Sequence, residues 1–296
     1  MKLAVIAALI RVTLMYTLIL SIVIGVLIAV IPILFGVSSS WTILPGIIVS
    51  VAVFVLVSRR VAKRVEAVTQ GAQQDMAKAQ NIAQRAGTKA PEIMHRAIDS
   101  AVAKLKTGLL FSKWQIGVTT MINAQIGMLL YTKAQVMQQA GQKAGLKAAF
   151  KATIPYLTAS QVSGAKAKLM HQLWPAWAML AVAHFRTEGG IDKAVEVLEA
   201  AVKVAPKPAL LWSLYAWLLW KSKRLDDAIG VLARAKESAD EDKHLKENIS
   251  LLQNRKPMKM RGYGEQWYQF GLEQPRMAAN QARMGHPRMR GNSRRR

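Results

Sequence analysis

The chain has 296 residues, 41 Lys plus Arg against 17 Asp plus Glu, a formal charge of +24 and no cysteine. The missing thiols exclude a disulfide scaffold, thiolate zinc sites, iron–sulfur clusters and cysteine nucleophiles. The length allows one or two domains with a sizeable core. Mean hydropathy is nevertheless +0.15, so apolar and basic residues must be segregated along the sequence. Residues 1–58 carry +2, residues 59–113 carry +7, and residues 114–170 carry +6 with no acid. Residues 171–254 are neutral and residues 255–296 carry +9.

Val12–Gly36 contains no charged residue, and at ~1.5 Å per residue it is long enough as a helix to cross a hydrocarbon core. A short polar link, Val37–Ser40, leads to a second apolar run from Trp41 to Val57. Trp41 is placed as an interfacial aromatic, and Pro45 is expected in the first helical turn, where its missing N–H costs little. Residues 1–58 therefore read as a transmembrane hairpin with spans of about 12–36 and 41–57. A cleavable signal peptide is the alternative, and the first apolar run is too long for it. Lys2 and Arg11 precede the first span, while Arg59, Arg60, Lys63 and Arg64 follow the second. The positive-inside bias puts both termini in the cytoplasm.

Residues 59–90 read as a basic amphipathic connector helix. Val61, Val65, Val68, Ala72, Met76, Ala79 and Ala83 recur at steps of three and four, which places them on one stripe. The basic face suits anionic lipid, at ~1 kcal/mol per cation near the surface. The Ala-rich stripe suits self-association, and so a homo-oligomer. Gly87–Pro91 is expected to end this helix.

Residues 91–254 carry a repeat. Trp177, Leu180, Ala181, Ala194, Leu198, Ala201 and Pro206 are followed by Trp212, Tyr215, Ala216, Ala228, Leu232 and Ala235. The alanines and leucines of the second half of each set lie 34 residues apart. Large residues on one helix and small ones at its crossing with the next let antiparallel pairs nest and stack.

This pattern resembles the tetratricopeptide repeat family from Pro175 to about Asp240. Ala181 and Ala216 stand in the usual glycine place, and Asp240 stands where the second proline would fall. The resemblance implies a tetratricopeptide-like solenoid, which with the two-helix transmembrane hairpin read from the apolar runs makes an all-α fold. It also implies a groove that binds a protein partner, for which Trp177, His184, Trp212 and Tyr215 are the candidate residues.

Asn123, Ile126, Gly127 and Leu130, with Tyr156, Leu157 and Ser160, suggest a degenerate earlier unit, and residues 92–111 suggest a helix before it. Lys143, Lys147 and Lys151, together with Lys133, Lys166 and Lys168, form a candidate dock for an acidic partner. Residues 243–253 read as a capping helix with Asp240, Glu241 and Asp242 at its start.

Residues 255–274 form an aromatic extension. Tyr263, Trp267 and Phe270 would share one face if helical and are expected to dock on the last repeat. Residues 275–296 form a basic tail with the composition of a disordered segment. Such a tail can bind RNA or anionic lipid non-specifically, but no RNA-binding motif or aromatic stacking platform supports a dedicated nucleic-acid function.

The five histidines have no metal-ligand spacing, and no phosphate-binding glycine motif or nucleophile elbow occurs. The sequence therefore points to a non-catalytic protein that uses no cofactor. The expected role is a scaffold at the cytoplasmic face of a bacterial inner membrane, holding a protein partner within an envelope or secretion assembly. The architecture resembles membrane-bound tetratricopeptide proteins of envelope assembly, including exopolysaccharide-secretion scaffolds of the Pel type. The alternatives are a structural subunit of a ring or motor-like complex, and an RNA- or ribosome-associated membrane protein acting through its tail.

Overall fold

A computed structural model of the chain describes residues 16–35, 39–114, 117–161, 171–187 and 190–274. The expectations for Lys2, Arg11, Lys166, Lys168 and the tail 275–296 concern residues outside that set, as does the side chain of Trp41. Among the described residues every regular element is helical. The chain forms two compact units, residues 1–183 and 184–296.

In the first unit, α1 (Tyr16–Leu34) and α2 (Ser39–Arg85) form the apolar hairpin. Each contains a stretch long and apolar enough to cross a membrane. Ile22, Val26 and Val30 of α1 are exposed, as are Ile43, Ile47 and Val51 of α2. The helices approach closely where both lack bulk. A Cβ on Gly25 would lie 2.6 Å from the Ser50 Cβ, and one on Gly46 would lie 2.7 Å from the Gly25 carbonyl oxygen. Ser21, Gly25 and Ala29 recur every fourth residue, as do Gly46 and Ser50. This spacing lets backbones meet where hydrophobic driving force between helices is weak.

The hairpin differs from expectation at Pro45. Because α2 starts at Ser39, Pro45 falls in the second turn, where it withholds an N–H from the Trp41 carbonyl. The same helix then continues through Ser58, Arg59 and the whole basic stretch without a break, for 47 residues. Its apolar stripe does not offer the coiled-coil surface expected for self-association. Val61, Val65 and Ala72 are buried in one core with Ile98, Ala101, Val102 and Leu105 of α3 (Ala90–Gly108) and Val118, Ile122 and Ile126 of α4 (Val118–Gln139). At about 1.5–3 kcal/mol per buried aliphatic side chain, intrachain packing takes that surface.

The break between α2 and α3 comes where the glycine and proline place it. Gly87 has φ +55° in a 3-10 turn, and Pro91 enters the first turn of α3, where no N–H is needed. Helix α4 pairs with α5 (Leu146–Ala159). Their crossing is tight at Gly127, where a Cβ would stand 2.5 Å from Leu157 Cδ2 and 3.2 Å from the Leu157 backbone nitrogen. Tyr131 and Phe150 meet edge to face nearby, 5.2 Å between ring centres. Helix α6 (Trp174–Arg186) follows.

In the second unit, α7 (Gly190–Val204) packs on α8 (Ala209–Lys221), α8 on α9 (Leu225–Ser238), and α9 on α10 (Lys243–Gln253). Ala194, Leu198 and Ala201 of α7 are at most 1% exposed, as are their counterparts Ala228, Leu232 and Ala235 of α9. Equivalent positions thus do equivalent packing work. Asp242 caps α10, its Oδ1 accepting from the Leu245 N–H at 2.7 Å.

Two glycines separate packing from propensity. Gly127→Ala should destabilise the first unit by about 1–3 kcal/mol, because backbone and Leu157 both stand in the way. Gly71→Ala, in mid-helix with nothing within 4 Å of a Cβ, should stabilise it by about 0.5–1 kcal/mol. Thermal unfolding in mild detergent should therefore move in opposite directions for the two variants. A shift of the same sign would contradict the α4–α5 packing.

Candidate functional site

Helix α8 is buried along almost its full length, from Ala209 to Leu219, and its two faces are covered differently. On one face, Trp212 and Tyr215 turn toward α7 and α9. The Tyr215 hydroxyl donates to Glu199 Oε1 of α7 at 2.8 Å. Arg234 of α9 donates to both oxygens of the same carboxylate, at 2.5 and 3.2 Å, and its guanidinium lies 5.6 Å from the Trp212 ring centre. Trp212 Nε1 donates to the Pro206 carbonyl at 2.7 Å. Three helices are thereby joined at one carboxylate.

Three of the four groove candidates are buried side chains. Trp212 and Tyr215 are 4% and 3% exposed, and Trp177 is 2% exposed with Nε1 donating to the Ser160 carbonyl at 3.3 Å. Their rings fill helix crossings. His184, half-buried, keeps an accessible edge, and burial together with Lys193 pushes its pKa down, which favours the neutral ring.

The second face of α8 carries Ser213 and Trp217, one turn apart. The chain's own extension covers it. The Tyr263 hydroxyl is 2.8 Å from Ser213 Oγ and donates to Asp242 Oδ1 at 3.1 Å. The Trp267 ring meets Trp217 edge to face at 5.2 Å, and Phe270 packs behind it. Arg186 Nη2 donates to the Gly271 carbonyl at 2.5 Å, which holds the end of the extension. Its beginning is held by Asn248 of α10, which accepts from the Lys259 N–H at 2.7 Å.

Tyr263, Trp267 and Phe270 converge without sharing one helix. A 3-10 turn, Arg261–Tyr263, and the short α11 (Glu265–Tyr268) are separated by Gly264 at φ +59°. Trp267 and Phe270 are fully buried. Sequence reading missed Ser213, Trp217 and Asn248 as the receiving side. The one-turn spacing of Ser213 and Trp217, off the Trp212–Tyr215 face, was the available signal.

Other candidates remain on the surface. Arg59, Arg60, Lys63 and Arg64 are exposed on α2, and Lys143, Lys147 and Lys151 are exposed on and just before α5. Lys133 is occupied by Asp99 at 2.6 Å. An open groove of about 610 Å³ runs between α9 and α10, with Ile229, Leu232 and Ile249 as its apolar lining and Lys236, Glu237 and Lys246 around it. Among the described residues no group of three or more acidic or histidine side chains could hold a metal ion.

Residues 175–250 match the family model for the tetratricopeptide repeat. Over that segment, which takes in α7, α8 and α9, the chain is similar to the tetratricopeptide repeat, a likeness that suggests a protein-interaction role. No curated protein and no solved structure matches the chain.

Two outcomes follow from this geometry. The Arg234 hydrogen bonds hold the Glu199 carboxyl below its usual range. A carboxyl depressed on folding contributes stability that is fully present above its unfolded pKa and is lost as pH falls through the folded value. The stability difference between wild type and Glu199→Gln should therefore shrink as pH drops below about 4.5, as followed by denaturant unfolding. A difference that persists unchanged at low pH would refute the assignment. Trp267→Ala should cost about 3–5 kcal/mol in the same assay, as expected for a fully buried aromatic. A surface-like effect below about 0.5 kcal/mol would show that the extension does not cover α8.

Proposed function

We propose that the protein is a membrane-anchored scaffold that holds a protein partner at the cytoplasmic face of a bacterial inner membrane, without catalysis of its own. The observation that carries this reading is the tetratricopeptide segment 175–250 in the same chain as two helices apolar and long enough to span a bilayer. Anchoring confines a bound partner to the membrane surface and raises its effective concentration. The positive flanks of the hairpin support an orientation with both termini in the cytoplasm. Arg59, Arg60, Lys63 and Arg64 would then lie against anionic headgroups.

The partner surface in this reading is the open groove between α9 and α10, with His184 as a further contact; the Lys143–Lys151 patch of the first unit is a separate candidate dock for an acidic partner. The Ser213–Trp217 face is already filled by the extension. A second reading, a structural subunit of a homo-oligomer, is favoured by the open apolar groove over the hairpin crossing, lined by Ile22, Gly25, Ala29, Ile47 and Ser50.

Site-specific photocrosslinking in intact membranes tests both readings. A crosslinker at Gln253 should capture one distinct protein. The capture should be lost with Ile249→Glu and absent from a crosslinker at Ile82 on α2. No capture from Gln253, or the same capture from Ile82, would remove the scaffold reading. Crosslinks between copies of the chain from Val26, with none to another protein from Gln253, would establish the oligomeric subunit instead.

A further inference from the structure

We infer that the turn between α3 and α4, Leu109–Trp114, is a third membrane contact, seated in the interfacial layer beside the base of the hairpin. The inference rests on the membrane reading of α1 and α2 and adds a segment that neither hydropathy nor charge pattern marks.

The hairpin's own register sets the level of this turn. Gly25 of α1 meets Gly46 and Ser50 of α2. The helices are antiparallel, so nine residues back from Gly25 reaches Tyr16, and nine residues on from the middle of the Gly46–Ser50 pair reaches Val57. Tyr16 and Val57 therefore stand at one height, roughly 14 Å from the crossing at ~1.5 Å per residue. That distance is about half the thickness of a hydrocarbon core. Ser58, Arg59 and Arg60 come next, so this height is where hydrocarbon gives way to headgroups.

The turn is fastened at that height. The Tyr16 N–H donates to the Lys113 carbonyl at 3.1 Å, and Thr17 Oγ1 donates to the Trp114 carbonyl at 2.8 Å. Two carbonyls of the turn thus satisfy a backbone N–H and a fully buried hydroxyl at the start of an apolar helix, where water would be scarce. The Trp114 ring meets Tyr16 edge to face at 5.4 Å. Val57, Leu109, Phe111 and Trp114 all pack against the same core, which brings the turn alongside the end of the second apolar run.

What the turn leaves uncovered is the chemistry of a bilayer interface. Leu110 is 77% exposed, as open to solvent as Leu34 of the apolar hairpin. Lys113 is exposed beside it. Trp and Tyr prefer the headgroup level, an exposed Leu gains by entering the acyl boundary, and Lys reaches back to phosphate. No Asp or Glu occurs between Asp99 and Glu188, so no acid of the turn or of α4 opposes an anionic surface.

The absence of cysteine makes the test direct. Single variants Leu110→Cys, Val30→Cys and Ile82→Cys of the full chain are labelled with an environment-sensitive fluorophore. They are then reconstituted in bilayers of phosphatidylcholine and phosphatidylglycerol. Quenching is read with a nitroxide lipid labelled near the headgroup end of its chain, and with aqueous iodide. The label at position 110 should lose fluorescence to the nitroxide and be shielded from iodide, while the label at position 82 shows the reverse. If position 110 is as open to iodide as position 82 while position 30 is shielded, the interfacial contact is overturned and the membrane reading stands. If position 30 is itself open to iodide, the membrane reading falls and this contact with it.

Discussion

The architecture of the first unit depends on one uninterrupted helix, α2, which changes partner along its length. Over its first turns it meets α1 through Gly46 and Ser50, where the absence of side-chain bulk brings backbones together. Beyond Val57 the same helix presents Val61, Val65 and Ala72 to α3 and α4, where aliphatic burial is the dominant contribution. The apolar run and the helical core are therefore not joined by a loop. Rotating α2 to suit one partner rotates its stripe against the other, so hairpin packing and core packing must agree in phase. A glycine or proline near Ser58 would uncouple them, and none occurs there.

In the second unit the comparable element is α8. A helix with Trp212, Ser213, Tyr215 and Trp217 along eleven consecutive buried residues needs cover on every side, and single-faced amphipathicity cannot supply it. Three of its polar side chains find partners: the Tyr215 hydroxyl on α7, the Trp212 N–H in the loop between α7 and α8, and Ser213 at Tyr263. Glu199 pairs with Arg234 at the edge of this arrangement, where water still screens the charges. The ion pair therefore contributes orientation more than net stability. Burial and the neighbouring carboxylate raise the Tyr215 pKa well above its ordinary value, which keeps its proton in place as a donor.

Features carried by spacing were legible in the sequence. The 34-residue recurrence of Ala194, Leu198 and Ala201 located the repeat helices, because a stacked helix pair imposes the same small and large residues at the same crossings. Gly87 and Pro91 located the end of α2 through backbone geometry alone. Features decided by orientation were not legible. Trp177, Trp212 and Tyr215 could have lined a groove or filled a crossing, since both uses call for a large aromatic on the first helix of a pair. Only the positions of Ser160, Pro206 and Glu199 decide between them. The extension was legible as aromatic but not as a helix. Gly264 at positive φ interrupts it and turns its three rings to a common target that the helical period alone would not give.

That extension changes which surface can serve a partner. Ser213 and Trp217 form the face of α8 that packing against α7 and α9 leaves available, and in this chain Tyr263 and Trp267 fill it. Trp267 and Phe270 are as well buried as any core residue, and Arg186 and Asn248 tie down the two ends. Displacing the segment would expose two large aromatics and leave several hydrogen-bond partners unpaired, a larger cost than one short peptide recovers in the same place. A partner therefore meets less opposition at surfaces that folding leaves open. In the second unit the groove between α9 and α10 is one such open surface, and Lys236, Glu237 and Lys246 beside it place charges of both signs next to an apolar lining. A mixed lining of this kind favours a protein segment with its own apolar anchor and paired charges over a purely acidic or purely basic ligand. The large positive charge of the chain then has little to do with the repeats, which are neutral. It belongs to α2, to the acid-free α4–α5 pair and to the residues beyond 254.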